Sequence, residues 1–152
     1  MTPYAAPEAT FVKSDGSQVS LSQLVGPKTL VLYFYPKDNT AGCTAEACSF
    51  RDAYEDFQSA GADVVGVSAD DAATHEGFKG KYKLPFTLLT DPSGAAAKAL
   101  GVKKTLGLLP GRVTFVIDRK GQVVHKFDSQ LRATKHVAEA LEIVKKLAAS
   151  AT

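Results

Sequence analysis

Cys43 and Cys48 are the two cysteines of this 152-residue chain, and they stand five positions apart. They lie in the run Tyr33-Phe34-Tyr35-Pro36-Lys37-Asp38-Asn39-Thr40-Ala41-Gly42-Cys43-Thr44-Ala45-Glu46-Ala47-Cys48. An apolar stretch ends at Pro36, a polar turn containing a glycine follows, and Cys43 opens a helix-like segment. A thiol in the first turn of a helix meets the positive end of the helix dipole and unpaired backbone N–H groups. Both favour the thiolate, which is the nucleophilic form. Five residues of ideal helix advance about 7.5 Å and rotate about 140°, so the two Cα atoms lie roughly 8.7 Å apart. A disulfide needs Cα atoms closer than about 7 Å. If both cysteines lie on one helix, they cannot bond until it partly unwinds. A pair held apart when reduced and joined by local unwinding when oxidised belongs to a catalytic cycle rather than to a structural staple.

The surrounding elements have to place this run. Thr29 to Tyr35 is a near-continuous apolar stretch rich in β formers, as expected of a central strand covered on both faces. Before it, Ala9 to Lys13 and Val19 to Leu21 flank the turn cluster Ser14-Asp15-Gly16-Ser17 and predict a short hairpin. After it come a helix from Ala41 to Ala60 and a second buried strand from Ala62 to Ser68. Asp70 and Asp71 are placed to cap a helix running to about Tyr82. A strand over Phe86–Leu89 and a small helix over Ala95–Leu100 follow, and Val113–Ile117 pairs with Gln122–Phe127 about Asp118-Arg119-Lys120-Gly121. A last helix, Ala133 to Ala148, carries Val137, Leu141, Val144 and Leu147 at helical spacing. Strands alternating with helices and then a terminal hairpin predict an α/β fold with a central mixed sheet and parallel strands in its middle. The Ala41–Ala60 helix starts at the carboxyl end of a sheet strand, the edge where sites form in open α/β sheets.

The chain as a whole restricts the chemistry. Its length is that of one domain, spanning residues 1–152, with enough surface to bury a core. A composition of 45% hydrophobic and 22% charged residues is that of a soluble globular protein. The net charge of +2 is spread over scattered Lys and Arg residues, which speaks against nucleic acid. No apolar stretch approaches membrane-span length, and residues 1–7 lack the basic and apolar regions of a secretory signal. Two cysteines are too few for a disulfide scaffold, which fits a compartment where thiols stay reduced. The glycines form neither GxGxxG nor a phosphate loop, so no nucleotide cofactor is expected. With no further cysteine and no clustered histidines, neither is a zinc site. Glu46 reads as a solvated or pairing helix residue, His75 as a helix-surface or capping residue, and His125 and His136 show no ligand spacing.

The motifs carry a specific resemblance. Pro36-x-x-x-Thr40-x-x-Cys43 is the active-site pattern of the peroxiredoxins, within a longer string ending Cys43-Thr44-x-Glu46-x-Cys48-x-Phe50. Val67-Ser68-x-Asp70, His75-x-x-Phe78, Leu84-Pro85-Phe86-x-Leu88-Leu89-x-Asp91 and Arg112-x-Thr114-Phe115-Val116-Ile117-Asp118 agree in order and spacing. From about Ala6 to Leu147 the chain resembles the bacterioferritin comigratory protein or peroxiredoxin Q class. Ala41 stands where many relatives have proline. Leu109-Pro110-Gly111 and the segment from Phe127 to His136 look closer to plastid and cyanobacterial members.

This resemblance implies a thioredoxin-like fold, a monomer and a thiol-dependent peroxidase acting on hydrogen peroxide and organic hydroperoxides. Cys43 would be the peroxidatic nucleophile, passing through a sulfenic acid. Cys48 would resolve it to an intramolecular disulfide, which thioredoxin or a similar dithiol protein would reduce. Arg112 would polarise the peroxide and stabilise the thiolate. Thr40 would offer its hydroxyl to the reacting oxygens, and Pro36 would shield the pocket from water. The compartment would be the bacterial cytoplasm, or a plastid reached through a removed transit peptide. Plainer readings stand beside these: an arginine ahead of a strand is ordinarily a surface residue, and Cys48 can be a buried apolar residue in an enzyme resolved by an external thiol. A thioredoxin-like oxidoreductase normally needs Cys-x-x-Cys, which this chain lacks. A redox-sensing module signalling through a Cys43–Cys48 disulfide is the alternative from another class.

Overall fold

The computed structural model describes residues 2–105, 109–129 and 132–150. In chain order its elements are β1 (Tyr4–Ala5), β2 (Thr10–Val12), β3 (Gln18–Ser20), α1 (Leu21–Leu24), β4 (Thr29–Phe34), α2 (Ala41–Ser59) and β5 (Ala62–Ser68). Then follow α3 (Ala72–Tyr82), β6 (Thr87–Thr90), α4 (Ala95–Ala99), β7 (Lys104–Thr105), β8 (Leu109–Pro110), β9 (Val113–Ile117), β10 (Gln122–Asp128) and α5 (Ala133–Ser150). Among the described residues, eight strands form one mixed sheet in the order β1-β10-β9-β4-β5-β6-β2-β3, while β7 and β8 form a separate ribbon.

Every residue of β4 is buried, because β4 lies between β5, its parallel partner, and β9, its antiparallel one. Strand side chains alternate between the two faces, and β4 divides the core accordingly. Leu30, Leu32 and Phe34 pack with Phe11, Val67, Phe115 and Ile117 against α4. Val31, Tyr33 and Tyr35 pack on the other face with Phe50 and Phe57 of α2, Phe78 of α3 and Val144 of α5. The expected thioredoxin-like arrangement is present: a central mixed sheet flanked by helices, with the N-terminal hairpin β2–β3 joined to its edge by pairing of Val12 with Thr90.

Three local features differ from the sequence expectation. Leu21 does not close a strand but opens α1, where Ser20 and Gln23 form a reciprocal capping box. Tyr4–Ala5 pairs with β10, and Lys104–Thr105 pairs with Leu109–Pro110. Both are two-residue strands, too short for a period of two to show. Residues 130–131, within one of the segments likened to plastid members, lie outside the described residues, as do residues 106–108.

Candidate active site

Asp38 and Pro36 are buried in the loop that joins β4 to α2, whereas Lys37, Asn39 and Thr40 are exposed. Asn39 takes φ 64°, the left-handed conformation that asparagine tolerates better than most residues. Thr40 occupies the N-cap position of α2, but its hydroxyl does not cap the helix; it donates to the Lys37 carbonyl at 2.9 Å. That bond uses the hydroxyl proton and leaves its lone pairs to accept.

Cys43 lies in the first turn of α2 and is 1% exposed. Glu46 follows three residues later on the same helical face and is fully buried. Arg112, immediately before β9, reaches both. Its Nη1 donates to Glu46 Oε1 at 2.6 Å and its Nη2 to Cys43 Sγ at 3.5 Å. Burial works against the Arg112 charge, but Glu46 and Cys43 more than offset it and hold the guanidinium above its ordinary value. Burial pushes the Glu46 carboxyl up to about 8 despite the pull of Arg112. Arg112 and Glu46 are therefore interior residues, not the surface arginine or solvated glutamate that their sequence surroundings permit. Gly42 gives the arginine its room: a Cβ there would stand 3.0 Å from Arg112 Nη2.

Behind this pair lies His136, whose Nδ1 is 3.7 Å from Glu46 Oε2. His136 Nε2 donates to the Ser129 carbonyl at 2.7 Å, and its Nδ1 accepts from the Thr114 hydroxyl at 2.7 Å. These partners suit a neutral ring, and burial lowers the His136 pKa further. Glu46 Oε2 and the Tyr33 hydroxyl have no hydrogen-bond partner among the described residues.

Cys48 is on α2 as well, half-buried, and both cysteines are free thiols. An intact helix from 43 to 48 keeps their Cα atoms roughly 8.7 Å apart, beyond the reach of about 7 Å that a disulfide allows.

A second buried cluster holds the loop from below. His75 is not a surface or capping residue: it is 2% exposed, in the first turns of α3. Its Nε2 donates to the Leu89 carbonyl at 3.0 Å and its Nδ1 meets Asp38 Oδ2 at 2.6 Å. Since the carbonyl can only accept, Nε2 is the donor of that bond. Asp38 Oδ1 accepts from the Tyr35 hydroxyl at 2.5 Å. Of the two predicted caps of α3, Asp71 accepts from Thr74 N–H, whereas Asp70 turns to the loop. Its Oδ2 accepts from Asp38 N–H at 2.8 Å and from the Ser68 hydroxyl at 2.6 Å. Asp38, Asp70 and His75 bring one ligand atom each within 4.8 Å of one another. Two of these atoms, Asp38 Oδ2 and His75 Nδ1, already bond to each other.

The structure thus brings together Cys43, Glu46 and Arg112, places Pro36 and Thr40 in the loop that leads into α2, and sets Cys48 further along that helix. Sequence reasoning missed Asp38, His75, Thr114 and His136 as parts of the site. His75 alone had a usable sign, since its spacing of three to Phe78 puts both on one face of α3.

Residues 4–126 match the AhpC/TSA family. The chain is 51% identical over 144 residues to the chloroplastic peroxiredoxin Q of Oryza sativa subsp. japonica, covering 94% of this chain and 66% of the rice protein. It spans just under two thirds of that relative's length. Among solved structures, peroxidoxin BcpB from Mycobacterium tuberculosis superposes with a TM-score of 0.88 at 32% identity, covering 96% of this chain and 97% of that one. The bacterioferritin comigratory protein of Xanthomonas campestris, studied for its alkyl peroxide reduction activity, gives 0.82 at 33% identity and 92% of both chains. No helix among the described residues is long and apolar enough to cross a membrane. The chain belongs to the AhpC/TSA family, in its peroxiredoxin Q and bacterioferritin comigratory protein class.

Proposed function

We propose that the chain is a thiol peroxidase with Cys43 as its nucleophile and Cys48 as its resolving thiol. The observation that carries this reading is the buried Arg112 guanidinium, set 3.5 Å from the Cys43 sulfur and steered there by Glu46. A fixed positive charge at that distance, with the start of α2 behind it, stabilises a thiolate. The thiolate attacks the terminal oxygen of a hydroperoxide, the O–O bond breaks, and the sulfur is oxidised by two electrons to a sulfenic acid. The leaving hydroxide or alkoxide takes a proton and departs as water or alcohol. Arg112 stabilises the charge developing on that oxygen. The Thr40 hydroxyl, already donating to Lys37, accepts from the peroxide O–H. Buried Pro36 presents no N–H and keeps water from the sulfur.

Resolution follows when the first turns of α2 unwind. The Cys48 thiol attacks the Cys43 sulfenic acid, an S–S bond forms and water leaves. Thioredoxin or a similar dithiol protein returns both thiols. The alkyl peroxide activity of the Xanthomonas relative supports organic hydroperoxides as substrates beside hydrogen peroxide. The chloroplastic name of the rice relative supports a plastid compartment, while bacterial relatives share the fold. Residues 1–152 are read as one domain acting as a monomer.

The test is peroxide consumption with thioredoxin and its reductase supplying electrons. Cys43→Ser abolishes turnover, and Cys48→Ser consumes one equivalent and stops. A Cys43→Ser variant with full activity contradicts the assignment. Because a disulfide within α2 must reshape it, the sensor reading makes a distinct prediction: wild type oxidises once and thioredoxin fails to recycle it.

A further inference from the structure

The loop ahead of Cys43 changes character at Asp38. Up to that residue it is tied to elements other than α2. Tyr35 N–H donates to the Val67 carbonyl at 3.1 Å, Asp38 N–H donates to Asp70, and the Asp38 side chain is buried between Tyr35 and His75. His75 is itself pinned to the Leu89 carbonyl at the end of β6. From Asn39 to Gly42 the chain is exposed and the Thr40 hydroxyl bonds back within the loop. Unwinding the start of α2 breaks none of the contacts made by Asp38 or His75. Arg112, in contrast, reaches the sulfur from another part of the chain, so Cys43 meets it only while the loop holds its place.

We propose that His75 and Asp38 are positioning residues that form the fixed hinge of the active-site rearrangement, which begins at Asn39 and leaves residues up to Asp38 in place. This rests on the peroxidase reading. The lock has opposite consequences for the two chemical steps. Reaction with peroxide needs Cys43 seated against Arg112 and depends on the lock. Disulfide formation needs the helix to open and does not. Loss of His75 slows the first step and leaves the second unchanged or faster, a divergence that a general loss of stability does not produce.

His75→Gln, compared with wild type by single-turnover stopped flow and corrected for folded fraction, tests this. Oxidation of Cys43 is expected to slow at least tenfold, with disulfide formation not slowed. Asp38→Asn is expected to act similarly, and the double variant to be no worse than the poorer single one, since both remove one contact. Equal rates of Cys43 oxidation in wild type and variant, or additive losses, overturn the proposal. If His75→Gln does not fold, Tyr35→Phe removes one bond to Asp38 and keeps the ring. A two- to fivefold slowing of Cys43 oxidation is then expected, and an unchanged rate overturns the lock. Amide exchange separates failure of the lock from failure of the peroxidase reading. If peroxide leaves the wild type unreacted, the latter fails, and the cysteines are joined with diamide instead. In the oxidised protein the Asp38 amide is expected to stay protected while the amides of residues 41–48 lose protection. Exposure of the Asp38 amide on oxidation places the hinge upstream and overturns the proposal.

Discussion

At the residue scale, Arg112 donates to Glu46 and to Cys43 with separate nitrogens, and Glu46 helps to fix its aim. The fully buried Glu46 carboxyl is raised from 4.5 to about 8 by desolvation, the larger influence, against Arg112. Over that range the folded chain holds a proton that the unfolded chain has released, so stability falls as pH rises. The contribution is complete below about pH 4.5 and lost above about 8, with a slope of at most about 1.4 kcal/mol per pH unit. Glu46→Gln cannot ionise, so its urea midpoint is expected to decline less steeply than that of wild type between about pH 5 and pH 8. Parallel declines would contradict a raised Glu46. Cys43, Thr40 and Arg112 were singled out from the sequence because their spacings are local or tied to a motif. The burial of Glu46 was not legible: it depends on Arg112, 66 positions away, and on His136 of α5 beside it. For His75 the missing partners were Asp38 and the Leu89 carbonyl, which only the packing of α3 against the strand ends supplies.

At the element scale, the proposed mechanism gives α2 two jobs that pull against each other: holding Cys43 against Arg112 and opening for Cys48. Gly42 sits where these meet. It is an exposed helical position, where alanine favours the helix by about 1 kcal/mol. The alanine Cβ, however, would press on Arg112 Nη2 at 3.0 Å, and the guanidinium has to shift by a few tenths of an ångström. Gly42→Ala is therefore expected to raise the melting temperature and lower kcat/KM for peroxide severalfold. An unchanged kcat/KM would show that Arg112 needs no such clearance. Long elements were readable from their patterns: the apolar β4 and the helical spacing of α5 stand near their expected bounds. Short ones were hidden. Leu21–Leu24 is one turn of helix beside a strand, and its sign was the Ser20-x-x-Gln23 capping box rather than any periodicity.

At the scale of the molecule, the two faces of the sheet have separate duties. One buries the Cys43 end of α2 together with Tyr33, Phe50 and Phe86; the other is a core of Phe11, Phe34 and Phe115 beneath α4. Phe115 is fully buried and meets Phe34 edge-to-face at 6.0 Å. Phe115→Ala is expected to cost about 3–5 kcal/mol in denaturant unfolding while kcat/KM per folded molecule stays at the wild-type value. A matching loss of activity would mean that the faces are coupled. In the proposed mechanism, two thiols kept apart on one helix become one bond in the course of reaction. Thiol titration and peptide mapping by mass spectrometry after one equivalent of hydrogen peroxide test it most directly. Two free thiols are expected before, none after, and a single Cys43–Cys48 bridge within each chain. Two thiols remaining, or a bridge joining two chains, would contradict it.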